Sequence, residues 1–175
     1  EPSRDDFVIV AAIPAYNEDR FVGSVVIKAG MFVDRVIVVD DGSVDDTATV
    51  AGQAGADVIT HTTNRGKASA LATAFARACQ EDADIIVMLD GDGQHNPQEI
   101  PNVIRPIMRG QADMVIGSRF HNQKNRIPVW RRIGQHTLTL VTNAASGTRC
   151  SDSQSGFRAF TRQALKTLNP QCGGF

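Results

Sequence analysis

The chain has 175 residues, of which 42% are apolar and 21% are charged, and its formal net charge is −1. These values are typical of one globular domain and exclude a collagen, a coiled coil and a disordered tail. The near-zero charge gives no general attraction to nucleic acid, which we exclude as a partner. Three cysteines without a CxxC pair indicate neither a disulfide framework nor a zinc site, and favour a reducing compartment.

Short runs rich in valine and isoleucine alternate with segments of helical composition. The predicted strands are Phe7–Ile13, Val36–Val39, Val58–Thr60, Ile85–Leu89 and Met114–Ile116. The predicted helices are Asp19–Ala29, Asp45–Ala54, Ala68–Glu81 and Pro97–Arg109. This alternation predicts an α/β fold with a mostly parallel sheet and helices on both faces. A further helix over 129–145 and a short strand, Gly156–Thr161, are predicted beyond it.

Two helix starts carry capping signals. Ser43 with Asp46 three residues later is typical of a capping box, which predicts that Ser43 caps the second helix. Asn96 followed by Pro97 is typical of an N-cap with proline at the first helical position.

Polar residues follow every predicted strand of the main sheet. These clusters are Pro14–Glu18, Asp40–Ser43, Asn64–Lys67, Asp90–His95 and Gly117–Arg119. Ligands of open α/β sheets bind at the carboxyl ends of the strands, so we expect the clusters to meet in one site. The loops contain no GxGxxG, no complete P-loop and no GxSxG, which argues against the common dinucleotide, P-loop and hydrolase sites.

The sharpest of these clusters is Asp90-Gly91-Asp92. We expect Gly91 to permit a turn in which both carboxylates face one ligand, and such oxygens suit Mg²⁺ or Mn²⁺. The alternative is a solvated turn, but Asn96 already supplies the cap of the next helix. Asp41 could accept hydrogen bonds from a base or ribose, or could stabilise a helix N-terminus. Tyr16 could stack on a nucleobase or pack on the first helix.

Residues 114–150 contain six basic side chains and no acidic one. The six are Arg119, Lys124, Arg126, Arg131, Arg132 and Arg149. Arginine matches the geometry of phosphate, so this segment is predicted to bind an anionic acceptor or a membrane surface. The alternative is a solvated helix face.

Together these loops resemble family 2 glycosyltransferases of the GT-A fold, in particular those that use polyprenol phosphates, such as dolichyl-phosphate mannose synthases. The resemblance rests on segments 13–18, 39–43, 89–95 and 116–119, and its subgroup on 127–132 and 152–158. It implies a single GT-A domain over 1–175, with a nucleotide-sugar-binding half (1–118) and an incomplete acceptor half (119–175). We expect the C-terminal part to be truncated after Phe175. The QxxRW motif of processive synthases is absent.

The resemblance also implies residue roles. The donor nucleotide would contact Pro14, Tyr16, Glu18, Asp41, Asp90 and Gly91. The metal would be held by Asp90, Asp92 and Gln94. The catalytic set would be Asp92, Arg119 and Arg131. The acceptor side would contain Arg132, Ser155 and Arg158.

The implied reaction is inverting, metal-dependent transfer of a hexose from a GDP- or UDP-linked sugar to a polyprenyl phosphate. The cofactor would be Mg²⁺ or Mn²⁺, and the protein would work at the cytoplasmic face of a membrane. A phosphate acceptor is already anionic, which would explain why the sequence offers no convincing general base. Two alternatives remain open: a saccharide or protein acceptor, and a non-catalytic module that binds nucleotide sugars.

Overall fold

The computed structural model describes residues 2–117 and 156–168, and these form an α/β fold around one sheet. The strands are β1 (Ile9–Ala15), β2 (Arg35–Asp40), β3 (Asp57–Thr60), β4 (Ile85–Met88), β5 (Met114–Ile116) and β6 (Arg158–Thr161). The α-helices are α1 (Val22–Gly30), α2 (Thr47–Gln53), α3 (Lys67–Gln80), α4 (Ile100–Met108) and α5 (Arg162–Leu168). Short 3₁₀ helices cover Arg4–Asp6 and Pro97–Glu99.

The strand order in this part of the chain is β3-β2-β1-β4-β6-β5. β1 pairs in parallel with β2 and β4, and β2 pairs in parallel with β3. β6 runs antiparallel between β4 and β5. The mostly parallel sheet is therefore confirmed, as is a strand near Gly156–Thr161. The carboxyl ends of β1 to β4 share one edge with the amino end of β6.

The central strands bury both of their faces because alternate residues pack on opposite sides of the sheet. On one side Ile9, Ala11 and Ile13 join a core completed by apolar side chains of α1 and α4. On the other side Val10 and Ala12 face α3 and Leu165 of α5. Near-continuous apolar strands follow from this double coverage, as the sequence predicted.

Helix α3 packs closely on the sheet through a stripe of alanines. Ala70, Ala74 and Ala78 recur every fourth residue, lie on one face of the helix and are fully buried. Their small side chains allow the helix backbone to approach β1 and β2. This close packing fixes the position of the α3 N-terminus, which lies beside the candidate site.

Two local predictions are wrong. Helix α1 begins at Val22 rather than Asp19, because Asn17 has a φ of 55° and the Glu18 carbonyl accepts from Phe21 and Val22 in a turn. The Ser43 capping box is absent, since the hydroxyl of Ser43 donates to Asp40 and α2 begins after Asp46 without a side-chain cap. The Asn96 cap is confirmed: its side chain accepts from the Gln98 amide.

No helix within residues 2–117 and 156–168 combines the length and apolarity needed to cross a lipid bilayer.

Candidate active site

A cleft of ≈ 280 Å³ opens where the carboxyl ends of β1, β2 and β4 meet the N-terminus of α3. Its lining residues are Pro14, Ala15, Tyr16, Glu18, Asp41, Asn64, Gly66, Lys67, Ala70, Asp90, Gly91 and Asp92. The structure thus brings together six residues predicted for the donor nucleotide and two of the three predicted for the metal. Pro14 and Ala15 belong to β1 rather than to the loop after it.

The two adjacent aspartates at the end of β2 have different roles. Asp40 is buried and its carboxylate accepts from the amide and the hydroxyl of Ser43. The Ser43 hydroxyl oxygen in turn accepts from the Asn17 amide at 2.9 Å. Asp40 therefore ties the turn after β2 to the loop after β1 and is not a lining residue of the cleft.

Asp41 is the aspartate that reaches the cleft, and it organises the loop after β3. One carboxylate oxygen accepts from the Arg65 amide at 3.0 Å, and the other accepts from the Gly66 amide at 2.7 Å. The His61 ring lies 2.7 Å from the first oxygen. Burial raises the pKa of Asp41, but the hydrogen bonds from His61, Arg65 and Gly66 outweigh it, so the pKa lies below its usual value.

Glycine is required where the loops after β2 and β3 touch. Gly42 has a φ of +75°, and a Cβ there would lie 2.7 Å from the carbonyl carbon of Thr63 and 2.8 Å from the amide nitrogen of Asn64. Any side chain would separate the two loops, which carry Asp41 and Asn64 into the cleft.

Glu18 is held at the acidic side of the cleft. Its amide donates to the Thr47 hydroxyl oxygen at 2.8 Å, and that hydroxyl donates to Asp45 at 2.5 Å. Burial, followed by the negative charges of Asp92, Asp45 and Asp90, raises the pKa of Glu18. The repulsion among these carboxylates marks a place where a cation would be stabilised.

Asp90 follows β4 and is confined on several sides. The ammonium of Lys67 lies 2.5 Å from its Oδ1, an ion pair rather than a well-directed hydrogen bond. A Cβ at Gly156 would collide with the Asp90 carboxylate, so the backbone just before β6 packs directly against this side chain. Gly91 lies in the turn after β4 and also packs closely on β1, where a Cβ would lie 3.3 Å from that of Ala15 and 3.4 Å from the Pro14 carbonyl oxygen.

Asp92 forms a local turn. Its Oδ1 accepts from the Gln94 amide at 2.9 Å, and the φ of +73° in this turn belongs to Gly93. Gln94 is exposed and is not a lining residue of the cleft. Behind the turn, His95 is buried, with Nδ1 3.9 Å from Asp90 Oδ2 and its ring against Phe157 at a centroid distance of 5.8 Å.

Arg158 is the first residue of β6, in register with Met88 at the carboxyl end of β4 and with Ile116 of β5. It therefore lies at the edge of the sheet that carries the cleft, although it is not a lining residue. Four predicted site residues lie outside the described residues, namely Arg119, Arg131, Arg132 and Ser155, and so does the predicted helix over 129–145.

Several residues of the site carry no role in the sequence prediction. Lys67, Gly66 and Asn64 line the cleft, while His61 and Thr47 hold lining residues from behind. Asn64–Lys67 stood out as a polar cluster after a strand, which is the signal that could have assigned Lys67. His61 gives no such signal, because its role depends on contacts distant in sequence.

The side-chain oxygens that could ligate a metal in this cleft fit a hard divalent cation. Asp90 and Asp92 follow the same strand, Glu18 adds negative potential, and a cationic ammonium already lies against Asp90. Among the described residues, no three His, Cys, Asp or Glu side chains are arranged to enclose a metal ion. Mg²⁺ commonly completes its coordination with substrate phosphates and water, so two protein carboxylates are sufficient.

Comparison with known proteins gives a consistent family. The family described as Glycosyl transferase family 2 matches residues 10–168. The UDP-N-acetylglucosamine–dolichyl-phosphate N-acetylglucosaminyltransferase of Methanococcus voltae is 35% identical over 95% of this chain and 74% of its own length. The polyprenol monophosphomannose synthase of Mycolicibacterium smegmatis is 31% identical over 90% of this chain and 63% of its own length.

Solved structures agree with this result. Glucosyl-3-phosphoglycerate synthase from Mycobacterium tuberculosis, in complex with Mn²⁺, UDP-glucose and phosphoglyceric acid, is similar with a TM-score of 0.70 and 25% identity. The match covers 93% of this chain but only 59% of that chain, so the present chain spans about three fifths of the solved protein.

Proposed function

The chain belongs to glycosyl transferase family 2 and has the GT-A α/β fold, and on that premise we propose that it transfers a hexose from a GDP- or UDP-linked sugar to a polyprenyl phosphate with inversion. The observation that carries the donor part is the composition of the cleft at the sheet edge. One aromatic ring, a loop rich in backbone amides, four carboxylates and one lysine line it. The acceptor class, the metal dependence and the inversion are proposed in addition to the donor class.

The nucleoside is proposed to bind on the side of Tyr16, Pro14 and Asp41. Tyr16 directly follows β1 and lines the cleft, and 44% of its surface is exposed. A nucleobase stacked there would cover this apolar area. The relative from Methanococcus voltae is named for UDP-N-acetylglucosamine, and the solved structure contains UDP-glucose. Both are uridine nucleotides, which supports UDP ahead of GDP.

The diphosphate is proposed to bind between Lys67 and the two aspartates. Asp90 and Asp92, with Gln94 as a further candidate, would hold Mg²⁺ or Mn²⁺. When bound, the metal neutralises the charge that develops on the leaving nucleoside diphosphate. Lys67 is free to turn from Asp90 toward a phosphate oxygen, because it is over half exposed. The Mn²⁺ in the solved structure supports a divalent cofactor.

The proposed acceptor is a phosphate that needs no general base. A phosphate oxygen attacks the anomeric carbon, the bond from that carbon to the diphosphate oxygen breaks, and the electron pair leaves with the nucleoside diphosphate. Attack opposite the leaving group inverts the anomeric centre. Arg119 and Arg131 are proposed as catalytic residues that orient a phosphate of the donor or the acceptor. Arg132, Ser155 and Arg158 are proposed to lie on the acceptor side.

The relatives support a lipid acceptor. The relative from Methanococcus voltae is named for dolichyl phosphate, and that from Mycolicibacterium smegmatis is named for a polyprenol. A polyprenyl chain is confined to a bilayer, so the protein is proposed to act at the cytoplasmic face of a membrane. A soluble acceptor is the second candidate, favoured by the phosphoglyceric acid in the solved structure.

Thermal unfolding with a panel of nucleotides tests the donor assignment. Because the cleft is acidic and a nucleoside diphosphate is anionic, binding should require Mn²⁺ or Mg²⁺. A ligand at about one hundred times its Kd stabilises the folded state by about 2.7 kcal/mol, so UDP or GDP with metal should raise Tm clearly. The matched control is the same nucleotide with EDTA. A folded protein that responds to no nucleotide would contradict the proposal.

A further inference from the structure

His61 lies behind the cleft with both ring nitrogens engaged. It is only 8% exposed and follows β3 directly. Nδ1 is 2.7 Å from Asp41 Oδ1, and Nε2 is 3.0 Å from the Thr73 hydroxyl oxygen on α3. The ring therefore connects Asp41, which follows β2, with the middle of α3. No role for His61 is predicted from the sequence.

The Asp41 carboxylate decides which ring nitrogen donates to it. With its pKa held low, Asp41 can only accept, so Nδ1 of His61 is the donor of that hydrogen bond. The Thr73 hydroxyl lies 3.0 Å from Nε2 and 3.1 Å from the Ser69 carbonyl oxygen, and it can donate to either. The ring is thereby held against α3 with its Nδ1–H directed at Asp41.

Building on the proposed function, we propose that His61 is a positioning residue of the donor site: a buried ring whose Nδ1–H holds the Asp41 carboxylate and thereby fixes the loop over 64–66. It does not touch the donor itself. It acts through Asp41, which holds the amides of Arg65 and Gly66.

The effect of this hydrogen bond extends to the diphosphate site through the start of α3. Gly66 is the N-cap of α3, and its carbonyl accepts from Ser69 and Ala70. Lys67 follows Gly66 directly and its ammonium lies 2.5 Å from Asp90. If Asp41 loses the hydrogen bond from His61, the loop amides lose a fixed acceptor, and both Asn64 and Lys67 lose their placement in the cleft.

Nitrogen NMR of the histidine ring tests this hydrogen bond in the wild-type protein without any nucleotide sugar. The proposal predicts that Nδ1 of His61 gives the chemical shift of a protonated ring nitrogen, because Asp41 can only accept. The signals are assigned by their loss in His61→Asn. An Nδ1 with the chemical shift of an unprotonated nitrogen would overturn the proposal.

Steady-state kinetics test the positioning role. Asparagine at position 61 can still donate a hydrogen bond to Asp41, whereas alanine cannot. We expect His61→Ala to raise KM for the nucleotide sugar by about tenfold with little change in kcat, and His61→Asn to rescue part of it, since uniform donor binding is lost. Thr62→Val, at the exposed neighbour of His61, is the control and should match the wild type.

The two levels of failure are distinguishable. If the wild-type protein binds no nucleotide sugar, the proposed function fails, and the positioning role fails with it. If the wild-type protein binds its donor and folded His61→Ala keeps the wild-type KM, only the inference about His61 is overturned.

Discussion

The carboxylate of Asp92 joins a structural contact and a proposed metal contact in one side chain. Its Oδ1 accepts from the Gln94 amide, and the side chain also lines the cleft. Asparagine preserves the first contact because it keeps an acceptor oxygen in the same position. It removes the charge that a metal ion requires. The two roles can therefore be separated by a single substitution.

Asp92→Asn should lower kcat/KM by at least about 100-fold, the size of effect seen when one preorganised electrostatic contact is lost. The Tm should stay close to that of the wild type. Asp46→Asn is the matched control, because Asp46 is an exposed acid that only precedes α2. Near-normal turnover in a stable Asp92→Asn protein would contradict the metal assignment.

Asp41 makes a pH-dependent contribution to stability. Its pKa in the folded protein lies below the usual value of 3.8, so its hydrogen bonds contribute stability above that pH. This contribution is lost as the pH falls through the lower, folded value. Asp41→Asn should destabilise the protein by about 1–3 kcal/mol at neutral pH, since buried donors lose a partner.

Urea unfolding of wild type and Asp41→Asn between neutral and acidic pH measures this difference. The gap in unfolding free energy should be largest above pH 3.8 and should narrow below it. A gap that is constant with pH would show that the charge of Asp41 does not matter.

At the scale of elements, strand β6 connects the fold to the site. It runs antiparallel beside β4, and Gly156 two residues before its start packs on the Asp90 carboxylate. Gly117 after β5 packs similarly on Phe157, where a Cβ would lie 2.5 Å from the ring. Glycines at this edge allow β6 to approach β4 and β5 closely enough to confine Asp90.

Gly156→Ala should displace Asp90 and weaken the metal-dependent Tm shift produced by nucleotide, while leaving most of the fold intact. Gly52→Ala, within α2, is the matched control, because its Cβ would lie 3.8 Å from Val58 of β3, which is an ordinary van der Waals contact. Thermal unfolding with and without Mn²⁺ and nucleotide gives the readout. A full nucleotide shift in Gly156→Ala would contradict the view that this contact holds Asp90 in place.

The periodic elements could be predicted from the sequence, whereas contacts between distant segments could not. The apolar runs of β1, β2 and β4 and the spacing of α4 are local signals. The insertion of β6 between β4 and β5 is a pairing choice that a four-residue run does not encode. Ser43 illustrates the same limit: its sequence context is typical of a cap, but Asp40 offers its hydroxyl a closer partner.

The acidic residues of the site could be predicted from the sequence, whereas the residues that hold them in position could not. Tyr16, Asp41, Asp90 and Asp92 each follow a recognisable strand, and all line the cleft. Gly91 lies in the predicted turn, but its close packing on β1 could not be predicted, because it depends on the folded sheet. The role of His61 depends on Asp41 and Thr73, which only the folded chain brings together.

At the scale of the whole molecule, the charge distribution explains the proposed need for a cation. The net charge is −1, yet Glu18, Asp90 and Asp92 are concentrated in one cleft with a single lysine among its lining residues. An anionic diphosphate would be repelled there unless a divalent ion compensated the acids. The basic residues of segment 114–150 are proposed to serve the second phosphate, that of the acceptor.

Mass spectrometry of the lipid product tests the central claim most directly. The protein is incubated with a polyprenyl phosphate, Mn²⁺ and either UDP- or GDP-linked hexoses. The account predicts a polyprenyl phosphate that has gained one hexosyl group, formed with metal and absent with EDTA or with Asp92→Asn. Consumption of the donor without a glycosylated lipid, or no consumption by a protein that binds the donor, would contradict it.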